Sequence, residues 1–363
     1  MSTNCRIEGV TLERGAPGLA LDNDRLRVVV LPGKGADITS LVVKPEEIEL
    51  LWQSPWGHQP SGGVSTAETS QVAWLDAYQG GWQEIFPSGG GPCHYRGVEL
   101  NFHGEASTSV WDVLGQDASG DHVELTLAVR LRRSPFRIER TMRLDAGSEV
   151  LRLRERVTNE GGEAIEFMWG HHPAFGAPFL SDRCQIDTNA RTVRADPGFD
   201  GPYNPLVPGS LNEWPRVVRD GQATDLSLVP GESGQPRHTM AYLGDFAGEH
   251  GWYAIRNGEL GVGVGLSWPV EVFPFAWFWQ EMHGSSGYPW YRGVYTMAIE
   301  PFTSWPGGGL VAVIEQSGTQ RSLAPGESLE AELLATVFHG RGAVTGISPE
   351  GVVSQDESGS DGA

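Results

Sequence analysis

Basic residues are scarce in this chain: 26 Lys and Arg stand against 46 Asp and Glu over 363 residues, a formal net charge of −20. A surface of that sign repels phosphate backbones and anionic headgroups, so neither a nucleic acid nor a membrane is expected as a partner. Cysteine is scarcer still. Cys5, Cys93 and Cys184 are odd in number and widely spaced, which suits neither a disulfide framework nor paired zinc ligands and points to a reducing, cytoplasmic home. No run of about 18 apolar residues occurs, so no transmembrane helix is expected. The N-terminal MSTNCRIEG meets charge at once and lacks the apolar stretch of a signal peptide. Capped amphipathic helices are also missing, apart from a short candidate turn near Val72–Ala77.

What the chain has instead is turn material and strand patterning. It carries 49 Gly, 24 Pro and 13 Trp, a composition suited to many short strands joined by loops. His122–Leu131 alternates as HVELTLAVRL, and Arg137–Leu144 and Glu149–Val157 do the same with Arg and Glu on the wet face. That period of two marks half-buried antiparallel strands. Asp145–Ser148 reads as the hairpin between the last two. Leu26–Leu31, Asp37–Val43, Glu49–Trp52, Leu260–Leu266, Tyr295–Glu300, Leu310–Ile314 and Leu329–Phe338 read as further strands. The expected fold is all-β, one large antiparallel β-sandwich spanning residues 1–350, with an acidic, frayed tail at 351–363. Residues 195–240 form a Pro-, Gly- and Asp-rich excursion of the kind that more often walls a site than links domains.

Three segments stand out from the strands. Gly80–Glu105 packs Gly, Trp, Gln, Glu and two histidines into an irregular stretch, in which His103 sits where a strand end would face a cavity. Phe167–Phe175, FMWGHHPAF, holds two adjacent histidines that must point to opposite faces of a strand. That geometry disfavours a shared metal, and no HExxH-type spacing supports zinc. Ala298–Pro306, AIEPFTSWP, ends an apolar strand on Glu300. A carboxylate buried beside Trp and Phe would be pushed from about 4.3 toward neutrality, where a general base works best.

In order and type these motifs resemble the aldose 1-epimerase, or galactose mutarotase-like, family over most of residues 20–340. His103 in NFHGE resembles the family's first histidine in its HG motif. His172 in GHHPAF looks like the histidine of the N-H-x-x-F motif, with His171 in place of Asn. Glu300 resembles the glutamate of the E-x-x-x-x-P motif. The resemblance implies a β-sandwich that opens and recloses a sugar ring, with Glu300 as base, His172 as acid and His103 as a second donor. It implies no metal and no organic cofactor. Asp245 in LGDF is the candidate for the family's hydroxyl-gripping aspartate. Trp82 and Trp279 are candidate stacking platforms for a sugar and Gln83 a candidate polar contact; Trp277, Trp279 and Glu281 share one strand face. The arginines that bind phosphate in hexose-6-phosphate relatives are replaced, with Gln79 before Gly80-Gly81 and Ser107 after HGEA, so the expected sugar is unphosphorylated. The chain is expected to act as a monomer or homodimer on a small-molecule sugar.

Two other readings remain open on the same scaffold. One is a non-catalytic carbohydrate-binding protein, which needs no base. The other is a glycoside hydrolase or lyase, in which Glu300 would pair with Glu84, Glu105 or Glu281 at about 5–10 Å.

Overall fold

A computed structural model describes residues 5–57 and 67–356; residues 1–4, 58–66 and, in the expected tail, 357–363 lie outside the described residues. The alternating segments become strands whose inward and outward faces follow the sequence. In Phe136–Asp145, Phe136, Ile138, Arg140, Met142 and Leu144 are buried and their neighbours half-buried. Val150–Asn159 pairs with it antiparallel through the expected hairpin, where Gly147 takes a left-handed φ of 70°.

Among the described residues two large antiparallel sheets face each other. One has eight strands in the order Cys184–Thr188, His250–Asn257, Val262–Pro269, Ser328–His339, Val150–Asn159, Phe136–Asp145, His122–Arg130, Asp112–Ala118. The other has twelve. Its middle runs Asp37–Val43, Trp82–Ile85, Gly170–Phe175, Tyr295–Phe302, Phe275–Met282, Arg237–Gly244. The apolar faces of both sheets share one core, including Leu125, Ile138, Leu153, Phe175, Phe278 and Leu333. The fold is the expected all-β sandwich.

Two local expectations are corrected. Leu310–Ile314 is not a strand: Leu310–Gln316 is an α-helix that buries Leu310 and Val313. A short apolar run does not distinguish strand from buried helix, and the i, i+3 burial shows which one the packing selects. The tail does not fray at Gly351 either. Val353–Gln355 pairs with Val344–Ile347, and Val353 packs onto a small cluster of Trp252, Ala254 and Phe338.

One feature of the core is polar. Arg140 and Glu155 are cross-strand partners on the eight-stranded sheet, and Glu84 and His171 are cross-strand partners on the twelve-stranded one. All four point between the sheets and are buried. The Arg140 guanidinium donates to both Glu84 and Glu155 and to the Ala36 carbonyl at 3.0 Å. His171 Nε2 lies 3.0 Å from Glu155, while the indole N–H groups of Trp82 and Trp169 donate to His171 Nδ1 and Glu84. Burial opposes charge on Glu155, but His171 and Arg140 outweigh it and hold the carboxyl at about 2. Burial and the charge of Glu155 push Glu84 up to about 7.

Removing one member of a buried, hydrogen-bonded ion group typically costs about 3–5 kcal/mol, because the charge left behind has no partner. Arg140→Met is therefore expected to lower unfolding free energy in urea by about that amount. Arg140→Met combined with Glu155→Leu should recover part of the loss. A single variant within about 1 kcal/mol of the parent would show that the cluster contributes little.

Candidate active site

Strand register builds the floor of a cleft on the outer face of the twelve-stranded sheet. The pairs Gly170↔Phe302 and Ala174↔Ala298 set His172 opposite Glu300. Gln83 is opposite His172 on one side, and Trp277 is opposite Glu300 on the other. Tyr242 lies opposite Trp277. One row across five strands thus reads Gln83, His172, Glu300, Trp277, Tyr242. His171, one residue away from His172, faces the core cluster instead, as alternation requires.

His172, Glu300 and His103 all line a cleft of about 740 Å³. The His172 Nε2 to Glu300 Oε1 distance is 3.8 Å, too long for a direct hydrogen bond and wide enough for an oxygen to bridge. The His103 and His172 rings lie 5.8 Å apart. Among the described residues buried His172 Nδ1 and Glu300 Oε2 have no hydrogen-bond partner, a costly arrangement that a polar ligand would relieve. Trp279 packs 5.5 Å from the His172 ring, and Tyr78 meets that ring edge-on, also at 5.5 Å.

His103 is held by backbone. It adopts φ 57° ahead of Gly104 at φ 73°, a conformation that disfavours ordinary side chains and often marks a functional position. Its N–H donates to the Gly90 carbonyl at 2.9 Å, and the Gly90 N–H donates to its Nδ1 at 3.1 Å. Nδ1 is therefore an acceptor and Nε2 carries the proton. Gly90 itself has φ 72°, and a Cβ there would collide with the Gly307 carbonyl oxygen. The short helix Ser70–Asp76, capped by Thr69, forms the wall above. Its Trp74 packs 4.6 Å from His103 and donates its indole N–H to Ser107 at 2.9 Å.

Burial governs the electrostatics. It pushes Glu300 well above the usual carboxylate range and the His172 imidazole down to about 4. Burial, aided by His172, also holds His103 well below the ordinary histidine value. Among the described residues no Lys or Arg lines the cleft.

The other predicted contacts divide. Trp279 lines the cleft. Trp82 does not: its ring packs in the inter-sheet core, because it shares the face of Glu84 and His171. Gln83 lies beside His172, but its amide donates to Asp37 at 3.1 Å and to the Gly80 carbonyl at 2.6 Å, and it does not line the cleft. Asp245 is exposed at a turn, where it accepts from Thr192 at 2.9 Å. The aspartate that does line the cleft is Asp196, fixed by the Gly198 N–H at 2.7 Å and the Tyr242 hydroxyl. It opens the 195–240 excursion, so the segment was legible as a wall although the residue was not.

The hydrolase pairing finds no support among the three glutamates named for it. Glu84 faces the core, and Glu105 is occupied by the Arg132 and Arg133 N–H groups and Ser134. Glu281 is opposite Thr296, four residues from Glu300 and so about 13 Å along the strand. The cluster of Glu84, Glu155 and His171 has the donor types and proximity for a metal ion. Arg140, bonded to both carboxylates, already supplies the positive charge there.

The family model described as Domain of unknown function (DUF4432) matches residues 13–337, and the chain belongs to that family. No curated protein matches it by sequence. Among solved structures it is similar to a Klebsiella pneumoniae protein with the provisional name aldose 1-epimerase, at TM-score 0.71 and 16% identity over 92% of this chain and 84% of that one. A galactose mutarotase-like protein from Clostridium acetobutylicum aligns at TM-score 0.63 and 14% identity, over 92% and 99%. A galactose mutarotase-like protein from Lactobacillus casei aligns at 0.56 and 18%, over 88% and 100%. Such identities show the fold, a galactose mutarotase-like β-sandwich, and the chemistry has to be argued from the site.

The electrostatics predict an unusual titration. A free histidine gains its proton near about 6.5, whereas His172 should remain neutral on acidification until near pH 4, its depressed value. Imidazole nitrogen shifts, assigned with a His172→Asn variant, measure this directly. A His172 midpoint at or above the ordinary value would mean that its surroundings are wetter or more anionic than the geometry indicates.

Proposed function

We propose that this chain is an aldose 1-epimerase that interconverts the α and β anomers of an unphosphorylated sugar. The observation that carries the reading is the convergence of His103, His172 and Glu300 on one aromatic cleft, with Glu300 Oε2 and His172 Nδ1 unpartnered among the described residues. A binding module has no need of a buried carboxylate and imidazole set 3.8 Å apart. The absence of lining cations among the described residues favours a neutral sugar over a phosphorylated one.

The chemistry requires one proton to be carried by the Glu300–His172 pair. Glu300, as carboxylate, takes the proton from the C1 hydroxyl, and His172, as imidazolium, gives one to the ring oxygen. The C1–O5 bond breaks, C1 becomes a carbonyl, and the proton has moved from His172 to Glu300. Rotation about C1–C2 presents the other carbonyl face. Closure then returns the O5 proton to His172 and the Glu300 proton to the new C1 hydroxyl. In the empty cleft burial favours the proton on Glu300; sugar hydroxyls donating to the carboxylate favour its charged form, so substrate itself prepares the base. His103, through Nε2–H, donates to the ring oxygen or an adjacent hydroxyl, and Asp196 is placed to accept from hydroxyls farther along the ring. Two side chains and the sugar balance every proton, and no cofactor enters any step.

Glu300→Gln keeps the shape of the side chain but cannot accept the C1 proton. It is expected to slow anomer exchange by about 10²–10⁴-fold while leaving sugar binding largely intact. Polarimetry or exchange NMR on freshly dissolved aldoses reads the first, and calorimetry the second. Undiminished exchange in Glu300→Gln on a sugar the parent turns over would remove Glu300 as the base.

A further inference from the structure

The cleft is longer than the chemistry needs. The His172–Glu300 row marks one end. Four residues along the same strands, Glu281 lies opposite His238, a separation of about 13 Å. A pyranose with its hydroxyls spans roughly half of that, given C–C bonds of about 1.5 Å. The far end is built and not merely open. Glu281 is wholly buried and accepts from the Gly284 and Ser285 N–H groups at 2.9 and 3.0 Å and from the Ser285 hydroxyl. It thereby fixes Ser285 at the cleft surface, with Oγ 3.1 Å from His238 Nδ1. His238 is half-buried, and the Phe199 ring stands against it at 4.4 Å. Trp279 lies between the two ends and touches Trp290 at 5.8 Å. Phe199, His238, Ser285 and Trp290 all line the cleft that holds His172 and Glu300. The mechanism above uses none of these four.

We propose that this end, Phe199, His238 and Ser285 over buried Glu281, is a second subsite that takes the non-reducing ring of a neutral disaccharide while its reducing ring occupies the His172–Glu300 end. The proposal rests on the mutarotase reading for which ring reacts. The chemistry supports a second sugar ring over other extensions. Aromatic faces run the length of the path, hydroxyl partners are concentrated at its end, and no lining cation among the described residues would favour an anionic group.

The test compares glucose and galactose with the reducing disaccharides maltose, cellobiose and lactose. Exchange NMR gives kcat/KM for the parent and for the Phe199→Ala/Ser285→Ala variant, and calorimetry gives binding to Glu300→Gln with and without the same two changes. At least one disaccharide should exceed its monosaccharide in both readouts, and the double change should lower the disaccharide-to-monosaccharide ratio by roughly 10-fold, the scale of one ring contact plus one hydrogen bond. Catalysed monosaccharide exchange with no disaccharide advantage, or a ratio that the double change leaves alone, overturns the subsite and leaves the mutarotase reading standing. Tighter disaccharide binding that depends on Phe199 and Ser285, without catalysed exchange of any sugar, supports the subsite and overturns the mutarotase reading. No binding and no exchange with any of the five sugars overturns both.

Discussion

The register of the strand Gly170–Phe175 is the constraint on which the site depends, and the buried cluster of Arg140, Glu155, Glu84 and His171 is what sets it. Register in a sheet is normally specified by an apolar face, and a slip of one residue moves every side chain to the other side. This strand, Gly-His-His-Pro-Ala-Phe, is buried at all six positions, so apolarity alone specifies little. Electrostatics does. His171 sits among two carboxylates whose pull overrides burial and raises its pKa. One residue on, burial in an aromatic cleft lowers that of His172. A slip would bring a neutral-preferring environment to one imidazole and leave the two carboxylates of the other with Arg140 as their shared cation. Buried ion groups are weak evidence for stability in themselves; here the cluster has a register to specify.

The same arrangement separates two functions that a histidine can have. His171 ties the sheets together and is wholly buried, while His172 lines the cleft with its Nε2 3.8 Å from Glu300. Both depend on the central position of their strand, which has a paired neighbour on each side. Glu300 shares that position. A carboxylate and an imidazole that are cross-strand partners inherit their spacing from the sheet, with little need for loops to hold it. His103 is the exception. It comes from an irregular segment, and there the backbone of Gly90 does what a strand does for the others.

Much of this was legible in the sequence, and the failures have physical reasons. Period-two alternation located the half-buried strands because one face is wetter than the other. It does not phase Trp82–Ile85, where all four residues are buried and the preceding Gly80 and Gly81 both take positive φ, so the pattern leaves open that Trp82 belongs to the core. Asp245 lies outside the cleft and Asp196 lines it for a topological reason. Thr192–Ala195 and Arg237–Gly244 run antiparallel, with Thr192 beside Gly244 and Ala195 beside Ala241. Their ends therefore lie at opposite edges, and only one edge borders the cleft. Nothing in a linear sequence says which edge that is. The helix at Leu310–Gln316 was missed because its apolar run is too short to show a period.

Shared fold and low identity leave the site to carry the functional argument, and the departure from the resembled motif sharpens it. Where the resembled family has Asn before the catalytic histidine, this chain has His171, and it also has the buried charges that a histidine there requires. Asn would satisfy hydrogen bonds without charge; His171 adds positive charge beside that of Arg140, and the carboxylates Glu155 and Glu84 balance it. The substitution therefore belongs with its three partners, drawn from both sheets, and has meaning only with them. What the exchange leaves unaltered is the geometry one residue further on. His172 still faces Glu300 across the strand pair, at a spacing that a single oxygen can bridge, and the proposed chemistry depends on that spacing and not on how the layer beneath is built.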